Sequence, residues 1–149
     1  MHLGNGVKPA SSPEERVLDE QIGFLLRQAI KRHSTIFVTL IGKDLTPTQW
    51  VVLARLDQIG AVSQNLLGRL TAMDATTIKG VVARLLRQGF VSTAPDPEDG
   101  RRLVVDLTGD GKTLVCSTKV RAVKLSEEML APLRAAERKQ LLALLSRIR

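Results

Sequence analysis

The sequence predicts a mainly α fold with one small β-hairpin (α+β), and three observations carry that prediction. Apolar residues recur at helical spacing over most of the chain; Ile78, Val81, Val82, Leu85 and Leu86, for instance, fall at i, i+3, i+4, i+7 and i+8. Helix-start signals recur too, with Ser12, Thr46, Ser63, Asp74 and Thr108 each standing just ahead of such a run. Between Phe90 and Leu107 the pattern changes, as two short β-prone runs flank a loop rich in proline, glycine and acids.

Residues 1–11 lack the apolar core of a signal peptide and read as a flexible leader. Ser12 can cap a helix that has Pro13 at its first position and Glu15 at its third, a capping-box pattern. Leu18, Ile22, Leu25, Leu26, Ala29, Ile36, Phe37, Leu40 and Ile41 lie near one helical face, which predicts a single long helix up to Gly42. Thr46-Pro47 opens the next helix, with Trp50, Val51, Leu53, Ala54 and Leu56 apolar, Trp50 expected in the core, and Gly60 as the stop. Ser63 caps a short helix through Leu70, with Leu66, Leu67 and Leu70 expected to point inward.

Thr71–Asp74 is a turn, and Asp74 or Thr76 can cap a second helix, which Gly89 closes. Phe90–Thr93 and Leu103–Leu107 read as strands joined by the loop of residues 95–102. Thr108 caps a helix from about Asp110 to Leu130, Pro132 marks a break, and a last helix covers about Ala135 to Ile148. A helix-turn-helix followed by a basic-tipped hairpin is a winged helix. Leu141, Leu142, Leu144, Leu145 and Ile148 give the last helix more apolar surface than it needs alone, as the first helix has also. Surplus faces at both ends of a chain predict a shared dimer interface.

With 22 Lys and Arg against 15 Asp and Glu, the formal charge is +7, which favours a polyanionic partner. Aromatic residues make up only 3% of the chain, with no Tyr and one Trp. That argues against stacking platforms for single-stranded nucleic acid and leaves duplex DNA. No apolar run approaches the ~20 residues of a membrane helix, so a cytoplasmic protein is expected.

The second helix of the pair carries Thr76, Lys79, Gly80, Ala83, Arg84 and Arg87 opposite its apolar stripe, and no acid occurs from Ala75 to Ala94. Gly80 costs ~1 kcal/mol against alanine inside a helix. A small-residue face can seat the helix deep in the major groove, while Thr76, Thr77 and Lys79 reach bases or phosphates. Asp99, two residues before Arg101, could orient that guanidinium by a bidentate pair, and Arg102 follows directly. A pre-aimed arginine suits the narrow, negative minor groove.

Other motifs fail on inspection. Gly111-Lys112-Thr113 imitates a phosphate-binding loop, but the position five residues earlier is Asp106, not glycine. Pro95 and Pro97 interrupt any calcium loop around Asp99-Gly100. No metal-ligand cluster, cofactor motif or nucleophile–base pairing is recognisable, so an enzyme is not expected. Cys116, the sole cysteine, sits among Leu114, Val115 and Val120; a small buried residue is the first reading and a redox-sensing thiol the alternative. His33 falls on the apolar stripe, either as a core or interface histidine or as a polar group lining a ligand cavity.

Together these residues resemble the MarR family of bacterial winged-helix transcription regulators. The resemblance rests on Leu45-Thr46-Pro47-Thr48-Gln49-Trp50, on Ser63-Gln64-Asn65-Leu66-Leu67, and on Leu85-Leu86-Arg87-Gln88-Gly89-Phe90-Val91. Its most specific stretch is Asp96-Pro97-Glu98-Asp99-Gly100-Arg101, followed by Leu107-Thr108 and Gly111. Two departures stand out: Gly100 replaces a frequent basic residue, and Lys79-Gly80 replaces a commoner polar-arginine pair. The stretch from Ile22 to Arg27 and that from Arg32 to Phe37 resemble a subgroup linked to aromatic-acid catabolism.

The resemblance implies one domain over residues 12–149, with a winged helix-turn-helix at about 46–108 and dimerisation helices at about 12–42 and 109–149. It implies a homodimer on a palindromic operator of double-stranded DNA, a repressor released by a small, often aromatic anion. The expected DNA contacts are Ser63, Gln64, Thr76, Thr77, Lys79, Gly80, Arg84, Arg87, Asp99, Arg101 and Arg102, with Arg101 entering the minor groove. His33, Ser34 and Trp50 are the candidate ligand residues. A winged helix used for protein interaction, or a redox regulator working through Cys116, is the alternative.

Overall fold

The computed structural model describes residues 12–149, and within them seven helices and three strands follow one another. The expected leader, residues 1–11, lies outside the described residues, as do the side chains of Glu15 and Arg16 and with them the Ser12–Glu15 capping box.

The first helical stretch is not one helix. It divides into α1 (Pro13–Asp19) and α2 (Ile22–Leu40), because Gln21 between them is extended, at φ −75° and ψ 129°. No proline marks this break. Asp19 and Gly23 flank it, and both are weak helix formers that lower the cost of unwinding there. At the far end Gly42 adopts φ 109°, the left-handed stop expected of it.

The α3 helix (Pro47–Ile59) opens with a capping box in which Thr46 Oγ1 accepts from the Gln49 amide and the Gln49 side chain accepts from the Thr46 amide. Its inner face buries Val52, Leu53 and Leu56. A two-residue strand, β1 (Val62–Ser63), then runs into α4 (Gln64–Leu70), and Ser63 caps that helix as expected. Only Leu67 of its three leucines is buried; Leu66 and Leu70 are exposed. Gly68 takes the inward place instead, pressed so close to Ile78 that a Cβ there would lie 3.1 Å from its Cγ2. Two helices this near leave room for one leucine per turn, not two.

Ala72, at φ 56°, turns the chain between α4 and α5 (Ala75–Arg87). Ile78, Val82 and Leu85 are buried, Val81 is half-buried, and Leu86, expected in the stripe, is exposed. The stripe is therefore narrower than its spacing suggests, because the core reaches α5 from one side only.

The hairpin strands are β2 (Val91–Pro95) and β3 (Leu103–Leu107), so Phe90 precedes the sheet and Pro95 ends it opposite Leu103. The sheet order is β1-β3-β2, all antiparallel. Thr108 caps α6 (Gly109–Met129), accepting from the Gly111 amide at 3.1 Å, and its own hydroxyl donates to the Gly89 carbonyl at 2.6 Å. Gly111 is buried where a Cβ would overlap the Phe90 carbonyl. The start of α6 therefore packs directly on the entry to the hairpin.

Val115, Thr118 and Leu125 form the buried stripe of α6. Cys116 is exposed, contrary to the first reading, because it lies ~100° round the helix from Val115. Last comes α7 (Ala135–Arg147), which buries no residue of its own. One core joins these elements through Phe37, Leu53, Leu56, Leu67, Ile78, Leu85, Val91, Val105 and Val115. The apolar surplus at the chain ends stays outside it: Leu18, Ile22, Leu25, Leu26, Leu142, Leu144, Leu145 and Ile148 are all exposed.

Candidate nucleic-acid interface

Asp74 fixes where α5 begins. Its Oδ1 accepts from the Thr77 amide at 2.7 Å, and this bond, more than any other influence, holds its carboxyl below the usual 3.8. The cap leaves Thr76 and Thr77 in the exposed first turn, with Lys79, Gly80, Arg84 and Arg87 exposed along the same helix. Among the described residues, none of Lys79, Arg84, Arg87 or Arg101 has a carboxylate within ion-pair distance. Cations without an internal partner keep their full charge for an external one.

The β1–β3 pairing sets Ser63 against Val104. That register brings the start of α4 to the base of the hairpin, where Ser63, Gln64, Asn65, Arg101, Arg102 and Leu103 line one shallow cleft. Sequence reasoning placed Ser63, Gln64, Arg101 and Arg102 in separate motifs; the sheet makes them neighbours. Asn65 was missed, and β1, at two residues, was too short to give a pattern that would have found it.

The hairpin loop is held by its own acids. Glu98 N–H donates to Asp96 Oδ1 at 2.9 Å, and Asp96 N–H donates to the Arg102 carbonyl at 2.9 Å. Asp99 does not pair with the Arg101 guanidinium. Its Oδ1 accepts from the Arg101 backbone amide at 3.1 Å, while Oδ2 faces Arg102 Nε at 3.5 Å. Spacing two apart in a tight turn suits an Asx-type bond to the backbone better than a side-chain bridge. Asp99 therefore sets the backbone from which Arg101 projects, and the Arg101 side chain is exposed.

The three candidate ligand residues do not share a cavity. His33 is half-buried, its ring 6.2 Å from that of Phe37, and it lines an apolar groove with Ile22, Leu26, Leu125 and Leu141. Ser34, the next residue, faces a shallow depression with Lys31 and Val38. Trp50 is half-buried against the core, as expected for packing.

A sequence model described as MarR family matches residues 43–102, the span of the helix-turn-helix and most of the hairpin. The HTH-type transcriptional repressor NicR of Pseudomonas putida is 38% identical over 144 residues, covering 94% of this chain and 91% of that one. A solved structure of a probable transcriptional regulator from Pseudomonas aeruginosa is 48% identical, with a TM-score of 0.85 over 89% of this chain and 99% of that one. BpsR of Bordetella bronchiseptica, whose DNA binding is regulated by 6-hydroxynicotinic acid, is 37% identical, with a TM-score of 0.81 over 87% of this chain and 98% of that one.

Proposed function

This chain belongs to the MarR family, and on that premise we propose that it is a homodimeric, ligand-responsive repressor that reads a palindromic operator. It is a winged-helix DNA-binding transcription regulator, so the proposal concerns the operator, the assembly and the effector. One observation supports it above the rest. Among the described residues, the α5 cations and the hairpin arginines form exposed charge without internal ion pairs, except that Arg102 touches Asp99. In this reading α5 lies in the major groove and Arg101 in the adjacent minor groove, with Ser63 and Gln64 on the phosphates.

Release of counterions from the phosphates then makes affinity fall steeply with salt. Titrating a labelled duplex at several salt concentrations tests this. A flat dependence, or equal affinity for every duplex sequence, would favour a protein-interaction module instead.

The dimer reading is supported by exposed apolar side chains on α1, α2 and α7, which a second copy would cover. A stable monomer at micromolar concentration in equilibrium sedimentation would remove it. For regulation, the effector must bind the DNA-incompetent form more tightly, and such coupling is typically ~1–3 kcal/mol. A small aromatic carboxylate is the proposed class, by analogy with BpsR and its 6-hydroxynicotinic acid. No described helix is long and apolar enough to cross a membrane, and a cytoplasmic site of action belongs to the same proposal. Exposure of Cys116 supports a redox response as the second reading; a peroxide effect on DNA binding that survives in Cys116→Ser would end it.

A further inference from the structure

Of the side-chain ion pairs among the described residues, Arg102–Asp99 and Arg134–Glu137 each join residues three apart. The remaining pair joins two distant helices: Lys119 Nζ of α6 meets Asp57 Oδ2 of α3 at 2.6 Å. Asp57 raises the Lys119 ammonium above its usual 10.5, by hydrogen bonding first and by charge second. The Lys119 side chain is 55% exposed, and a pair this open contributes little to stability. What it can fix is a direction.

The α3 helix is the layer between the DNA-reading helices and α6. α4 and α5 pack on α3 and the sheet, while α3 and β3 pack on α6. The core they share, with Val52, Leu53 and Leu56 from α3 and Val115 and Leu125 from α6, is apolar. Apolar attraction follows buried area more than direction. Among the described residues, polar bonds between α6 and the winged helix occur at two places. Thr108, capping α6, donates to the Gly89 carbonyl at 2.6 Å. Lys119 lies three turns further on, roughly 16 Å along the axis. One attachment alone would leave a pivot; the second sets the angle.

The contacts on either side extend this link. At its first turn α3 holds α5, since Gln49 Nε2 donates to Oε1 of Gln88, the C-cap of α5, at 3.2 Å. In turn α6 is joined to α2, where Arg32 donates to the Glu128 carbonyl at 2.7 Å and Arg121 to the Ile41 carbonyl at 3.3 Å. Polar contacts thus run from α2 and α6 through Lys119 and Asp57 to the end of the DNA-reading helix.

We propose that Asp57 and Lys119 are positioning residues for DNA recognition: their contact sets the angle of α3 on α6, and so the half-site spacing that the dimer accepts. The spacing rests on the homodimer reading above; the angle belongs to one chain. Half-sites one helical turn apart lie ~34–36 Å between centres. A reading helix free to swing about Thr108 misses its groove at one half-site when the other is seated. Loss of the pair therefore costs discrimination between spacings before it costs stability.

The test is pulsed electron–electron double resonance between nitroxides at Lys79→Cys on α5 and Lys124→Cys on α6, in a Cys116→Ser background. Labelled protein is diluted into an excess of unlabelled protein, so each distance lies within one chain. Asp57→Asn and Lys119→Met should broaden and shift the distance distribution, and the exchanged pair, Asp57→Lys with Lys119→Asp, should restore it. Melting temperatures should stay within about 4 °C of the parent. Without labels, Asp57→Asn should bind the duplex that the parent selects from a random pool about tenfold more weakly. It should also penalise a base pair inserted between the half-sites less than the parent does. Parent-like distances in both single variants would overturn the proposal, as would an exchanged pair that fails to restore them. A larger fall in melting temperature would make the pair a folding contact and overturn it too. If the parent selects no palindrome, the spacing claim falls with the homodimer reading, and the distances within one chain still decide the angle.

Discussion

Gln49 Nε2 donates to Gln88 Oε1 across 3.2 Å, a bond between residues 39 apart that ties the first turn of α3 to the C-terminal cap of α5. The same buried side chain accepts from the Thr46 amide at 3.0 Å, so a single glutamine completes one helix start and anchors one helix end. Replacing it with methionine keeps the volume and removes both bonds. Gln49→Met should therefore lose about 1–3 kcal/mol of stability. Gln88→Ala breaks only the tie and should lose less. Urea unfolding of the two variants checks this; equal losses would mean the cap contributes nothing.

Much of this architecture was legible from local spacing. Caps at Thr46, Ser63, Asp74 and Thr108 depend on residues within one turn, and each was readable for that reason. Facing was harder, because it depends on what the neighbour leaves room for. Leu66, Leu70 and Leu86 matched the helical period yet stayed exposed, and Cys116 sat among apolar neighbours in sequence while lying off the buried stripe of α6. The break at Gln21 has no proline to announce it. Of the DNA-reading set, the α5 residues could be listed from the period, but their junction with the hairpin depends on the two residues of β1. Gly111 stood out only as part of a motif; its reason, contact with the Phe90 carbonyl, is tertiary.

The two hairpin arginines should differ. Arg101 projects from a backbone that Asp99 fixes and has no carboxylate partner among the described residues, whereas Arg102 shares its charge with Asp99 at 3.5 Å. Arg101→Ala should weaken operator binding by ~1–3 kcal/mol with the dimer intact, and Arg102→Ala should weaken it less. Fluorescence anisotropy with a labelled duplex measures both. Should the order reverse, Arg102 would be the groove residue.

Acid should act on the start of α5. The Thr77 amide favours the ionised form of Asp74 and holds its carboxyl below 3.8. A depressed carboxylate stabilises the fold at pH above its unfolded-state value, and the contribution is lost as pH falls through the lower, folded value. The melting-temperature gap between the parent and Asp74→Ala should thus be constant above about pH 5 and close below 3.8. A gap that persisted in acid would assign the cap to geometry alone.

Gly80 separates folding from recognition. It lies inside α5 with ordinary helical backbone, and a Cβ built on it meets nothing within 4 Å. Packing within the chain therefore gives glycine no advantage there, and Gly80→Ala should stabilise the protein by about 0.5–1 kcal/mol. Thr76, Arg84 and Arg87 are exposed along the same helix, so the added methyl group points toward whatever that face meets. If α5 seats in a groove as closely as a bare backbone allows, the same substitution should cost about tenfold in operator affinity, or ~1.4 kcal/mol. Thermal melting and duplex titration on one sample read the two effects with opposite signs. Gains in both would show a solvent-facing glycine that the helix merely tolerates, and the close approach would have to be sought at Thr76 and Thr77.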